Sequence, residues 1–160
     1  MESQGAETTK IDSPLGFHEA KLDDKGRIKL PTDFQQFFAA MGVSQLFVTT
    51  LDCLIASIYT IPAWRETEAF LENSGEPEKA DLALFNGNYY GAKSDVDTQG
   101  RLLVSAKLRR QLGIENQTVQ LKAYGKRVDI FSDAMCAERR EAARTGGRQA
   151  VLDLRKVGLK

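Results

Sequence analysis

Ala20 and Leu22 alternate with Lys21, and Ile28 and Leu30 alternate with Arg27 and Lys29, which is the period of a half-buried strand. Asp23-Asp24-Lys25-Gly26 lies between them and predicts a turn, so Arg27 and Lys29 share an outward face. The period then changes. Pro31 suits the first turn of a helix, and Phe34, Phe37 and Phe38 fall on one side of it, predicting a short helix over Thr32–Ala40 stopped by Gly42. Leu46–Thr50 and Cys53–Tyr59 read as strands. Thr60-Ile61-Pro62 opens a second helix that presents Trp64, Phe70 and Leu71 inward and ends by Gly75. Pro77 opens a third, over about Glu78–Phe85, with Asn86-Gly87 as its terminator.

The same succession then returns. A strand runs from Gly91 into Asp97, a second covers Arg101–Val104, a short helix reaches Leu112 and stops at Gly113, and strands follow near Thr118–Ala123 and Arg127–Phe131. Ser132 caps a last helix from Asp133 to about Arg144, ended by Gly146-Gly147, and Arg148–Lys160 forms a basic tail. Asp23, Gly26 and Arg27 recur as Asp97, Gly100 and Arg101 at an offset of 74 residues, and Leu22, Ile28, Leu30, Phe34 and Phe38 are matched by Val96, Leu102, Val104, Leu108 and Leu112. A repeated fold unit accounts for this, and two copies in one chain suit a partner that itself repeats, of which DNA is the commonest.

The turn has its own logic. An Asp side chain accepts backbone N–H groups two residues on, and Gly three positions later supplies positive φ. The Arg that follows leaves a fixed loop, and pairing with the Asp holds its guanidinium in one orientation. A simple hairpin with Arg as a solvated flank is the better account of a single copy, and it is the second copy at the same offset that brings the two readings level.

Charge changes the picture by its distribution. The 160-residue chain has a formal net charge of zero, yet residues 1–20 hold four acidic side chains to one basic, and residues 51–90 seven to two. Residues 122–160 reverse this with ten basic to five acidic. The repeats and the C-terminal part are thus basic and the connecting middle acidic, and the local field is what meets a phosphate backbone. A mixed soluble surface is the alternative reading of the same charges. Cys53 and Cys136 are too few for a disulfide framework and, with His18, too few for a zinc site; both read as small buried hydrophobes. No run approaches the roughly 20 apolar residues of a membrane span, and residues 1–16 lack the apolar stretch of a secretory signal, so a cytoplasmic location without membrane contact is expected.

Asp23-x-Lys25-Gly26-Arg27-x-x-x-Pro31, its echo Asp97-x-Gln99-Gly100-Arg101, Leu51-Asp52-Cys53-Leu54 leading to Pro62-Ala63-Trp64, and the acidic helical link ending at Asn86-Gly87 together resemble the MraZ family, the tandem-repeat branch of the SpoVT-AbrB transcription factors. The resemblance covers roughly residues 16–140. It implies an α+β fold, a tandem swapped-hairpin, double-psi-like barrel with pseudo-twofold symmetry and flanking helices. The division that follows is a disordered tail over 1–15, a first repeat over 16–62, a helical connector over 63–90, a second repeat over 91–134, and a C-terminal helix with basic tail over 135–160. For function it implies a nucleoid-associated regulator that binds double-stranded promoter DNA at short repeated boxes as a ring-like homo-oligomer, and represses the division and cell-wall gene cluster that includes its own gene. Arg27 and Arg101 take the DNA-contacting role, with Lys25 and Gln99 beside them, while Asp23, Gly26, Asp97 and Gly100 shape the loops.

The chain departs from the pattern in places. Ser105 stands where Pro31 does, Leu103 where Lys29 does, and the Ile55–Tyr59 stretch is longer than its counterpart. Lys107, Arg109 and Arg110 add charge to the second copy's helix; a face toward DNA, a face toward a neighbouring subunit and a solvated face all remain open for them. Catalysis has little to build on, since His18 is the only histidine and no nucleophile elbow accompanies it, so no enzyme activity and no cofactor are expected. Asp23, Asp24, Asp95 and Asp97 are solvated loop carboxylates unless the two turns meet and gather a hard cation. The rival functional class is a protein- or ligand-binding barrel of the antitoxin-like type, without a DNA role.

Overall fold

The computed structural model describes residues 12–160. The tail expected over 1–15 lies outside the described residues as far as residue 11. The elements run β1 (Phe17–Lys21), β2 (Arg27–Lys29), α1 (Thr32–Ala40), β3 (Gln45–Thr50), β4 (Ala56–Thr60), α2 (Ile61–Glu72), α3 (Pro77–Tyr90), β5 (Ala92–Asp95), β6 (Arg101–Leu103), α4 (Ala106–Leu112), β7 (Thr118–Tyr124), β8 (Arg127–Ser132) and α5 (Asp133–Lys156). The class is α+β, with antiparallel pairing throughout.

The two copies interleave. The larger sheet has the order β1-β7-β8-β4-β3-β5, so each copy's first strand pairs with the other copy's third: β1 with β7, and β5 with β3. The short second strands, β2 and β6, pair with each other as a separate ribbon. The two strands flanking the first turn therefore form no ladder together, and are joined by the isolated Leu22–Ile28 bridge and the hydrogen bond from Asp23 N–H to Arg27 O beside it. Apolar positions of both copies converge on one core, in which Leu22, Ile28, Leu30, Phe34, Leu102, Val104 and Leu108 are fully buried. At about 25 cal/mol per Å² of apolar surface, this shared burial is the dominant force joining the halves.

Local signals are met where they concern caps. Thr60 and Ser132 accept from the backbone N–H of Ala63 and Met135 and open α2 and α5, and Gly113 ends α4 at φ +65°. Other expectations are corrected. Gly87 does not end α3 but lies buried inside it, where the Trp64 ring comes so close that a β-carbon would stand 2.5 Å from Cη2. Gly146-Gly147 do not end α5, which continues to Lys156 through much of the supposed tail. Phe70 points outward at 72% exposure, while Trp64 is buried against Phe47 and Tyr59. Cys53 belongs to no strand: it takes φ +64° in a loop whose N–H groups are gathered by Asp52 Oδ1 and Thr50 Oγ1, and β4 begins only at Ala56. Both cysteines are free and only partly buried. The extra length of the first copy falls in this loop, Leu51–Ile55, against the two residues Gly125-Lys126 between β7 and β8.

Candidate nucleic-acid interface

Each Asp-x-x-x-Arg turn closes on itself. Asp23 Oδ1 accepts from the backbone N–H of Lys25 and Arg27, both at 2.9 Å, and Oδ2 accepts from Arg27 Nε at 2.8 Å. Asp97 repeats this with Gln99 and Arg101, all at 2.9 Å. Gly26 and Gly100 carry φ of +84° and +76°, which lets the chain reverse beneath the carboxylate. Hydrogen bonding from the Arg27 backbone N–H is the largest cause that holds the Asp23 carboxyl below the ordinary carboxylate range; burial opposes it, the Arg27 guanidinium adds to it, and Arg101 acts in the same way on Asp97. A carboxylate so engaged is a fixed part of the loop. Among the described residues no group of three or more His, Cys, Asp or Glu side chains is placed to hold a metal.

The turns are also locked to one another. Val104 N–H donates to Gly26 O and Leu30 N–H to Gly100 O, each at 2.9 Å, continuing the β2–β6 pairing at both ends. In the space a β-carbon on Gly26 would need lies the Arg109 guanidinium, which donates to Val104 O and to Glu115 Oε2. Over Gly100 lies the amide of Gln35, which donates to Leu30 O at 2.7 Å. Arg109 and Gln35 are the same position of the two copies. Arg109 is therefore not a solvated side chain: it is only 13% exposed and packs on the opposite turn. Lys107 and Arg110 are exposed, and Lys107 Nζ lies 4.0 Å from the Tyr89 ring centre.

On the ribbon, Ile28 and Leu102 pair and are buried, so the alternating side chains of Arg27, Lys29, Arg101 and Leu103 face outward together. Arg27 lies opposite Leu103 and Arg101 opposite Lys29, which makes the two arginines diagonal neighbours with α-carbons roughly 7–8 Å apart. Among the described residues neither arginine has a hydrogen bond from its terminal Nη groups, so each guanidinium is aimed through Nε while its fork stays open. Two such forks on one face can grip paired acceptors, such as phosphate oxygens or the O6/N7 edge of guanine. Lys25 and Gln99 are exposed at the loop tips, and the Gln99 carbonyl accepts from Lys29 Nζ. The sequence reading noted Lys29 as outward without placing it at the site; strand alternation carried that signal for Leu103 as well. Asp129, between Ser57 and Arg127 in the larger sheet, was missed altogether: Ser57 Oγ donates to it at 2.6 Å and Arg127 Nε at 2.9 Å. His18 hydrogen-bonds the Leu15 carbonyl and stands edge-on to Phe34.

Fold and site together define a tandem-repeat α+β protein whose two halves build one outward ribbon of cationic side chains. No family model matches the chain. Curated relatives do: it is 35% identical to the transcriptional regulator MraZ of Acidobacterium capsulatum over 107 residues, covering 65% of this chain and 72% of that protein. The MraZ proteins of Koribacter versatilis and Tolumonas auensis are 33% and 34% identical, over 64% and 74% of this chain and 71% and 78% of their own lengths. The chain belongs to the MraZ family. Its relatives are named as regulators of transcription, not as enzymes. No helix among the described residues is long and apolar enough to cross a membrane.

Proposed function

We propose that this chain is a sequence-specific DNA-binding regulator of transcription and that the β2–β6 ribbon is its DNA-reading surface. The observation that carries this reading is the pair of aspartate-aimed guanidinium forks, Arg27 and Arg101, set diagonally on one exposed face. A two-stranded ribbon fits the width of the major groove, and an arginine oriented before contact loses less side-chain freedom on binding. Lys25 and Gln99 act beside the arginines, and Asp23, Gly26, Asp97 and Gly100 shape the loops. The exchange of strands between the copies supports reading the fold as a swapped-hairpin barrel of tandem repeats over 16–62 and 91–134. By its family, the target is the promoter of the division and cell-wall gene cluster, including the chain's own gene, and the effect repression in the cytoplasm at the nucleoid.

Two forks on a chain of zero net charge neutralise few phosphates, so several copies in one ring, engaging successive boxes, supply the affinity through effective concentration. Leu82, Phe85 and Tyr89 on α3, and Val151, Leu152 and Leu154 on α5, are exposed and suit contacts between copies. A footprint and a salt-dependent gel shift on DNA upstream of the chain's own gene test the reading. Protection of short repeated boxes, weakening steeply with salt, is expected. Absence of binding at low salt would leave the non-DNA, antitoxin-like barrel.

A further inference from the structure

Exchanging the two copies maps Ile28 onto Leu102, Arg27 onto Arg101 and Lys29 onto Leu103, and the ribbon's register maps onto itself. Its outward face breaks this symmetry at a single pair of positions. One end joins Arg101 to Lys29, two cations, whereas the other joins Arg27 to Leu103. Leu103 N–H donates sideways to Ser94 Oγ rather than to Arg27, which makes Arg27–Leu103 a non-hydrogen-bonded pair, the kind in which facing side chains lie closest. Leu103 is nevertheless 49% exposed, a bare isobutyl group on a ribbon otherwise faced with cations. Its counterpart Lys29 is occupied by the Gln99 carbonyl, so the two ends differ in shape as well as in charge.

We propose that Leu103 is a specificity-determining residue that packs on the C5-methyl group of a thymine next to the site gripped by Arg27. The inference rests on the ribbon being the DNA-reading surface. In the major groove the thymine methyl is the one apolar feature of a base edge, and an aliphatic side chain recognises it by burial alone. The Lys29 end has no such group, so the chain reads the two halves of a box differently: a thymine is required at the Arg27–Leu103 end, and a hydrogen-bond acceptor or phosphate at the Arg101–Lys29 end.

The test uses the full chain and the fragment upstream of its own gene, synthesised with thymidine or wholly with deoxyuridine, which removes each methyl and keeps every base-pairing hydrogen bond. The wild-type chain should bind the deoxyuridine fragment about fourfold more weakly per contacted methyl. Leu103→Ala should lose about the same on the thymidine fragment and be indifferent to deoxyuridine, and Lys29→Leu should increase the deoxyuridine penalty. Comparing wild type with Leu103→Ala on both fragments removes any general change in DNA shape. Equal binding of both fragments by the wild type, or an undiminished deoxyuridine penalty in Leu103→Ala, overturns the role of Leu103 and leaves the DNA-reading ribbon standing. Failure to bind either fragment at low salt overturns the ribbon reading, and this inference with it.

Discussion

The guanidinium of Arg109 fills the space above Gly26, although the two residues lie in different copies of the repeat. The backbone there is at φ +84°, so a side chain at Gly26 meets both an unfavourable conformation and an occupied space. Gly26→Val and Gly100→Val should each lower stability by about 1–3 kcal/mol, or roughly 3–10 °C in melting temperature for a chain of this size. Unchanged melting in both would remove the account of the turns.

Arg27 and Arg101 should behave in the opposite way. Their ion pairs with Asp23 and Asp97 are partly exposed, and such solvent-screened pairs contribute little to folding. Arg27→Ala and Arg101→Ala should therefore melt close to wild type and weaken specific DNA binding by about 1–3 kcal/mol per engaged subunit. A gel shift on the promoter fragment measures this, and wild-type affinity in both variants would remove the arginines from the interface.

Acid should loosen the same loops. The folded-state pKa values of Asp23 and Asp97 are lowered, so their contribution to stability is fully present above the unfolded-state value, near pH 4, and is lost as pH falls through the lowered values. The melting temperature of the wild type should fall most steeply with pH in that window. The double variant Asp23→Asn/Asp97→Asn should flatten the acid limb.

Glycines inside helices give opposite signs. Alanine is favoured over glycine in a helix by about 1 kcal/mol, and at Gly146 and Gly147 nothing stands within 4 Å of a new β-carbon. Gly146→Ala and Gly147→Ala should each strengthen α5, read as slower amide hydrogen exchange along it. At Gly87 the same change drives a β-carbon into the Trp64 ring, and overpacking of about 1–3 kcal/mol outweighs the propensity gain. Gly87→Ala should lower the melting temperature.

Buried Asp129 supplies a further check on the larger sheet. Ser57→Ala removes a 2.6 Å donor and Asp129→Ala leaves the Ser57 hydroxyl buried without its acceptor, so losses of about 1–3 kcal/mol are expected, the second variant the worse. Denaturant melts of the two single variants and the double variant measure their coupling.

Legibility followed the range of the interactions. The turns and the caps at Thr60 and Ser132 depend on residues within a few positions, and the repeat is a likeness of residue types, so all three are carried directly by the sequence. Gly87 and Gly146 were misread because glycine marks a helix end, a close approach and a merely tolerated position alike; only Trp64, distant in the chain, distinguishes the close approach at Gly87 from the tolerated position at Gly146. Arg109 looked like a surface charge because its partner is a turn in the other copy. Asp129 was hidden because one polar residue in an alternating strand normally faces water, whereas here Ser57 and Arg127 converge on it. Phe70 fell on the wrong side because α2 buries little beyond Ala63 and Trp64.

Strand exchange has a consequence for inheritance. Each copy's first strand is completed by the other copy, and each turn is roofed by a side chain from the opposite helix. Neither copy can be excised, transplanted or shuffled as a module, and a substitution in one is felt as a change of lodging in the other. A duplicated segment fused in this way is bound to evolve as a couple: the roofing side chains Arg109 and Gln35 have diverged while each still covers the other copy's turn, and on the ribbon's outer face Lys29 and Leu103 differ as well.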